Sequence, residues 1–301
     1  MTVREGAAMS RREEAEVFGA TGGPLLATKG SLAVRLATTV EEITAAQHLR
    51  YRVFYEELAA RPDETARASR LDSDTFDAIC DHLLVVSKSQ PAAGEAIEVE
   101  DGELVGTYRL LRQNVANRHG GFYTEDEFDI VPLIARKRGL NFLELGRSCV
   151  LKPYRVRPVI ELLWQGIWNY VRIYDLDVML GCASFEGTDP DQHALPLSFM
   201  AQHCAAPPEW RVRALPHRYI DMNRLPRELI ASKAALKEMP PLIKGYLRLG
   251  CYIGEGAVID EQFNTTDVLI ILPISAINAR YFSHFGAPDE GPRAAPYSGA
   301  A

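Results

Sequence analysis

Glu144 and Arg147 stand three residues apart in an otherwise apolar run, FLELGRSCVL at residues 142–151. An ionised side chain in such surroundings costs several kcal/mol unless it is paired or faces a wet cleft. The run is therefore either crossed by structural ion pairs with partners elsewhere, or it walls a site that uses a carboxylate and a guanidinium. Other residues could join such chemistry. Arg50 and Phe54 are four residues apart, and the plain reading of that pair is an amphipathic helix with a solvated arginine. Asp72, Asp74, Asp77 and Asp81 fall in a polar stretch that reads either as a solvated loop or as a site that attracts cations. His82, at the start of a β-run, reads as a hydrogen-bonded structural residue.

The elements that must position these groups follow from periodicity and punctuation. Gly139 and Asn141 before residues 142–151, and Lys152-Pro153 after them, bound a buried strand. Strand alternation puts Glu144 with Gly146 and Ser148 on one face, and Arg147 with Leu145 and Cys149 on the other. The two charges are then not each other's partner unless a bulge intervenes. Upstream, residues 32–37 alternate like a strand, and Thr39 and Glu42 form a capping-box pattern for a helix through Ile43, Gln47, Arg50, Phe54 and Leu58. Residues 82–87 and 103–111 read as a hairpin across a low-complexity turn at 89–102. Apolar residues from Val159 to Val171 mark a helix, residues 177–185 a buried strand, 195–204 a short helix and 210–215 a strand. The order is β-α-β-α-β. Residues 240–250 are short, apolar and basic, read as a packed helix or one resting on anionic lipid, and residues 266–273 are a β-run.

The chain of 301 residues, 47% hydrophobic, is long enough for one or two domains with a sizeable core. A net charge of -7 argues against general nucleic-acid binding. Five cysteines, an odd number without C-x-x-C spacing, support neither a disulfide framework nor a zinc site, and no metal is expected. A reducing cytoplasm is the expected location. No run has transmembrane length, so membrane contact is expected to be peripheral, at the inner face of the cytoplasmic membrane.

Taken together, Arg50-x-x-x-Phe54, the acidic group at Asp77 and Asp81, Arg109, and Glu144-Leu145-Gly146-Arg147 resemble the acyl-homoserine-lactone synthases, which have the GNAT acyltransferase fold. A narrower branch fits better. ELGRSCV at 144–150, Tyr154-Arg155, and PLIKGYLRLG at 241–250 leading to Thr266-Asp267 resemble the acyl-ACP:L-ornithine N-acyltransferases of bacterial ornithine-lipid synthesis. The resemblance implies an α/β fold with a mixed, mostly antiparallel central sheet, splayed central strands and flanking helices. It covers a GNAT-like domain at 30–285 with a C-terminal extension from about 222, while composition alone, rich in Arg, Glu, Gly and Ala at 1–29 and in Pro, Gly and Ala at 286–301, marks a flexible tail at each end.

The same resemblance implies transfer of a 3-hydroxyacyl chain from acyl carrier protein to the α-amine of L-ornithine, giving lyso-ornithine lipid. No cofactor is then bound, and the phosphopantetheine thioester arrives on the carrier. Glu144 is the expected base, with backbone N–H groups near Cys149 and Val150 for the oxyanion. Arg50, Phe54, Asp77, Asp81, Arg109 and Arg147 are the expected substrate contacts: Arg109 or Arg147 for the ornithine carboxylate, Asp77 or Asp81 for its second ammonium; the alternative for these charges is an internal scaffold, with Arg50 closing a network with the same aspartates. Arg136, Lys137, Arg138, Lys152, Arg155 and Arg157 bracket the motif strand and are expected to dock the acidic carrier. The turn after the strand, KPYRVRP, has two prolines and no glycine, unlike the amide-rich turn that holds coenzyme A pyrophosphate, which favours a carrier thioester. His217-x-x-x-Asp221 is one residue short of the His-x-x-x-x-Asp of glycerolipid acyltransferases, so that mechanism is set aside. Two alternatives remain: another N-acyl amino acid or acyl-homoserine-lactone synthase, and a GNAT-fold module that senses acyl carrier protein without turnover.

Overall fold

The computed structural model describes residues 24–88 and 96–277. The tail expected at 286–301 and most of the one at 1–29 lie outside the described residues. One correction arises at once: Leu25–Lys29, expected in the tail, is a strand, β1, paired antiparallel with β2 (Leu32–Leu36). The sheet continues through β3 (Asp81–Ser87), β5 (Gly102–Arg112), β6 (Phe142–Val150), β7 (Val178–Glu186), β9 (Thr265–Pro273) and β8 (Tyr252–Asp260), in the order β1-β2-β3-β5-β6-β7-β9-β8. A short β4 (Glu98–Val99) pairs with β5. Every named strand pair is antiparallel except β6 with β7. The C-terminal extension is thus built into the sheet, since β9 pairs with β7 along its full length.

The parallel pair β6–β7 is joined only over Phe142–Glu144 and Val178–Leu180. Beyond it the strands diverge. Gly181 marks the branch point, where an added Cβ would meet the Leu145 backbone oxygen at 2.3 Å. A second irregularity sits opposite, where Thr107 pairs with Cys149 but Arg109 pairs with Gly146. Two β6 residues, Arg147 and Ser148, therefore oppose Tyr108 alone. This is a β-bulge, and Arg147 carries the positive φ (52°) that such a position requires.

Helices cover the two faces unequally. α1 (Val40–Tyr51) starts at Thr39, whose hydroxyl accepts from Glu42 N, and it runs into a π-helical turn at Arg52–Glu57. Its Ala46 and Leu49, with Val53 of that turn, pack on Leu84, Val86, Leu104 and Cys149. α2 (Glu64–Ser69), α3 (Gln113–Ala116) and α4 (Val131–Arg136) are short. The opposite face is covered by α5 (Arg157–Ile173), α6 (Ala194–His203) and α8 (Pro241–Leu249), with α7 (Ser232–Glu238) at the margin. On α5, Val159, Leu162, Leu163, Ile167, Tyr170 and Val171 recur at helical spacing and are buried. Gly166 lets the helix approach Val34, which a Cβ would meet at 2.8 Å. α8 packs as a helix: Ile243 and Tyr246 are buried, and Tyr246 meets Tyr108 hydroxyl to hydroxyl at 2.8 Å.

One further expectation is corrected. Residues 210–215 form no strand, only a 3-10 turn at Pro208–Trp210 and single bridges at Arg213 and Ala214. Conversely, β8 is a full strand that Gly254 and Gly256 obscure in the sequence; its register with β9 shifts between Ile253 and Ala257. Gly181→Ala should lower thermal stability by about 1–3 kcal/mol, because the strand must move off the Leu145 carbonyl. Gly139→Ala, with open space around its Cβ position, should leave melting temperature nearly unchanged.

Candidate active site

The divergence of β6 from β7 opens a cavity of about 260 Å³. Glu144, Gly146, Arg147 and Ser148 of β6 form one wall, and Cys182, Ala183 and Ser184 of β7 the other. Phe54 and Leu58 reach it from the π-helical turn after α1, and Phe263 from the β8–β9 turn. Tyr108, Leu145 and Leu242 also line it, although they belong to the core under α5 and α8. The gap therefore passes through the sheet, polar at one mouth and apolar at the other.

The bulge brings Arg147 to the Glu144 side of the sheet, against the regular alternation expected from the sequence. Its guanidinium lies 4.9 Å from the Tyr123 ring and 4.5 Å from that of Phe263. Three arginines and three aspartates then close an alternating ring. Arg50 Nη2 and Nη1 donate to Asp77 Oδ2 and Oδ1 at 2.7 and 2.8 Å. Arg109 Nη1 reaches Asp77 at 3.0 Å and Asp74 at 2.6 Å. Arg147 Nη2 meets Asp74 Oδ2 at 3.1 Å, while its Nε is 3.3 Å from Asp72 Oδ2, close enough for attraction but not aligned as a hydrogen bond. Arg50 Nε closes the circuit to Asp72 at 2.7 Å.

The solvated arginine expected at position 50 is thus corrected: Arg50 is 1% exposed. The stretch around Asp72 and Asp77 is likewise no solvated loop, since both are buried. Burial alone would lower the Arg50 pKa and raise that of Asp77, but their mutual contacts outweigh it, holding Arg50 higher and Asp77 well below the usual carboxylate range. Gln47 and the Asp74 amide add hydrogen bonds to Asp77, leaving it no role towards an ammonium. Asp81 is on the other face, accepting from Tyr170 and paired with Arg112, and is not brought to the cavity. Arg50 also does not line the cavity, whereas Phe54, Arg109 and Arg147 do.

Glu144 is buried and accepts three hydrogen bonds, from Thr124 N (2.7 Å), Thr124 Oγ1 (2.5 Å) and Tyr123 N (3.0 Å). Burial raises its pKa despite these donors. Oε2 receives only the Tyr123 amide, so one lone pair remains directed elsewhere. Leu151 donates its N–H to Val105 O at 2.9 Å, so strand alternation turns the Val150 N–H to the edge that β7 has left and the Cys149 N–H back to β5. Of the two expected oxyanion donors, Val150 turns its N–H to the open edge and Cys149 does not, and neither residue is among those lining the cavity. The Cys149 thiol is buried, and its pKa is pushed up by that burial.

The basic residues do not form one face. Arg136, Lys137 and Arg138 precede β6, while Lys152, Arg155 and Arg157 follow it, about 30 Å away along a nine-residue strand. Arg136 donates to Arg211 O, and Lys137 lies 4.1 Å from the Trp210 ring. At the other end Arg155 pairs with Glu57 at 2.5 Å and Arg157 with Glu161 at 2.6 Å, beside exposed Val156 and Ile160.

A second acidic group was not foreseen. Glu127, Asp260 and Asp267 bring one carboxylate oxygen each within 4.8 Å of one another. Asp260 and Asp267 line the cavity. Burial first, and then neighbouring carboxylates, push the Glu127 and Asp267 pKa values up. The sequence signal was available in a lone aspartate beginning an apolar β-run at 267, but its partners are 140 and 7 residues away in sequence. The ring and this triad should titrate stability in opposite senses. Asp77 has a depressed folded pKa, so its contribution is present above the ordinary carboxylate range and lost as acid protonates it; Asp77→Asn should cost about 3–5 kcal/mol at neutral pH. Glu127 has a raised folded pKa, so stability is lost as pH climbs through it; Glu127→Gln should gain on the wild type as pH rises, read as melting temperature against pH.

Comparison with known proteins agrees with this architecture. The acetyltransferase (GNAT) domain family matches residues 49–165. The L-ornithine N(alpha)-acyltransferase of Brucella abortus (strain 2308) is 51% identical over 281 residues, 93% of this chain and 98% of that protein. The protein of the same name from Rhizobium meliloti (strain 1021) is 49% identical over 283 residues, 94% of this chain and 93% of that one. Among solved structures, FeeM, an N-acyl amino acid synthase from uncultured soil microbes, aligns with a TM-score of 0.46 at 12% identity, covering 83% of this chain and 97% of that chain. With about half its residues shared along nearly the whole length of the two relatives, the chain is an acyltransferase that belongs to the L-ornithine N(alpha)-acyltransferase family.

Proposed function

We propose that this enzyme transfers a 3-hydroxyacyl chain from acyl carrier protein to the α-amine of L-ornithine, forming lyso-ornithine lipid. The observation that carries this reading is the gap through the sheet, with a carboxylate at its polar mouth and apolar residues beyond. The names of the relatives support ornithine as acceptor. The donor enters from the C-terminal end of β6, where Lys152, Arg155 and Arg157 face an acidic carrier. The turn there offers prolines at 153 and 158 and no row of amides for a pyrophosphate, which supports a carrier thioester. The acyl chain then lies towards Tyr108, Leu145 and Leu242. No helix among the described residues is long and apolar enough to cross a membrane. The reading includes delivery of the product at the membrane surface by peripheral contact.

The chemistry is aminolysis. The α-ammonium gives a proton, through water, to the open lone pair of Glu144; the amine attacks the thioester carbonyl, forming the C–N bond. The developing oxyanion meets the Val150 N–H. The C–S bond breaks, and the pantetheine thiolate leaves with the second proton, which the attacking nitrogen gives up as the amide forms. Arg147, held by the aspartate ring at the cavity wall, faces the acceptor's carboxylate.

Lipids extracted from a host that makes none of these compounds should contain acyl-ornithine once the chain is expressed, as read by mass spectrometry. A purified Glu144→Gln enzyme should lose about 100-fold in kcat with purified acyl-carrier substrate; near-normal turnover would remove the base assignment. Lys152→Glu combined with Arg157→Glu should raise KM for the carrier substrate several-fold, an effect that added salt imposes on the wild type.

A further inference from the structure

We infer that Glu127, Asp260 and Asp267 form the socket for the primary ammonium at the end of the acceptor's side chain, and so select a diamino acid. This rests on the reading of an amino-acid acceptor made above. The three carboxylates come from separate segments: the loop before α4, the end of β8 and the start of β9. They are 2%, 8% and 6% exposed. Among the described residues the triad's ion pair is Arg218 with Glu127, Nη1 to Oε1 at 4.0 Å, while that guanidinium donates to the Asp126 and Ile259 carbonyls; Arg147 acts on Asp267 through its charge without pairing with it. Glu127 Oε2 and Asp267 Oδ1 have no hydrogen-bond partner although both are buried. Leaving buried acceptors unmatched is costly, and here Asp267, with Asp260 beside it, lines the cavity that contains Glu144, with Glu127 behind them.

The geometry suits an ammonium. A primary ammonium donates three hydrogen bonds in tetrahedral directions, so at ~2.9 Å its acceptors stand roughly 4.7 Å apart. The triad's oxygens lie within 4.8 Å of one another. Cys182 links this socket to the reaction centre: its Sγ is 4.0 Å from Thr124 Oγ1, which holds Glu144, and the same thiol feels the Glu127 and Asp267 charges. A substrate lying along Cys182 would therefore have one nitrogen among the three carboxylates and the other beside Glu144. Three methylenes separate the α-carbon of ornithine from its terminal nitrogen. The socket also answers what Asp77 and Asp81 cannot, since the Asp77 oxygens are already taken and Asp81 lies on the other face, away from the cavity.

The test compares ornithine with norvaline, the amino acid of the same chain length lacking the terminal nitrogen. With wild-type enzyme and acyl-carrier substrate, kcat/KM should favour ornithine by about 100-fold or more. In Asp267→Asn and in Glu127→Gln that ratio should fall by at least about tenfold, and millimolar ornithine, but not norvaline, should raise the wild-type melting temperature. If the wild type acylates both amino acids alike, or if both rates fall by the same factor in the variants, the socket assignment is overturned while ornithine acylation stands. If the wild type makes no acyl-ornithine, the proposed function fails first. Loss of wild-type activity in EDTA, with recovery on calcium or magnesium chloride, would give the triad to a metal ion and overturn the assignment. Should either variant fail to fold, the wild-type melting comparison decides alone: equal shifts with ornithine and norvaline overturn it.

Discussion

The structure depends on six charges arranged head to tail in a closed circuit: Arg50, Asp77, Arg109, Asp74, Arg147 and Asp72. Each cation lies between two carboxylates and each carboxylate between two cations, which is what makes burial of so many charges tolerable. The circuit ties α1 to the loop before β3, to β5 and to β6. It also holds Arg147 in a left-handed backbone conformation that an arginine adopts at a cost of roughly 1–2 kcal/mol. The bulge at that residue and the Gly181 approach to Leu145 together set where β6 parts from β7. The cavity is a by-product of how these charges are satisfied.

The two acidic groups differ in one respect that separates scaffold from site. The aspartates of the ring are matched by arginines, which hold the Asp77 carboxyl well below the usual carboxylate range. Glu127 and Asp267 are equally buried but have only Arg218, 4.0 Å from Glu127, as an ion-pair partner, and their pKa values are pushed up, by burial first. Burial without compensation is expensive in a folded protein, so its persistence at the wall of a cavity is informative. Glu144 stands between the extremes, neutralised by no cation but supported by two amides and a hydroxyl.

Much of the fold was legible because it is local. The strand of residues 142–150, the capped helix after Thr39, the helix from Arg157 and the terminal β-run each announce themselves through period and punctuation. The family resemblance of the strand and the C-terminal motif pointed to the right fold. Three kinds of feature stayed hidden. The bulge reverses the face of Arg147, and nothing within the strand's own residues marks it. The ring and the triad join residues from distant segments, so polar stretches that look solvated prove to be interior. β8 carries Gly254 and Gly256 within its run, which breaks the alternation that a strand normally shows, while residues 210–215 show the alternation but find no continuous partner. The basic residues flanking the motif strand are adjacent to it in sequence and yet stand at its opposite ends.

β6 is central in the sheet order, yet past Glu144 it is paired on one side only. In pairing terms it is an edge strand placed in the interior. Exposed edges invite other chains to add strands, a route to aggregation that proteins ordinarily block with charge, proline or short length. Here the blocking is done by enclosure: β7, the Phe54–Phe263 contact and α8 stand around the open edge. A second polypeptide strand has no room to dock there. The enclosure thus leaves the Val150 N–H on an open edge that another chain cannot reach.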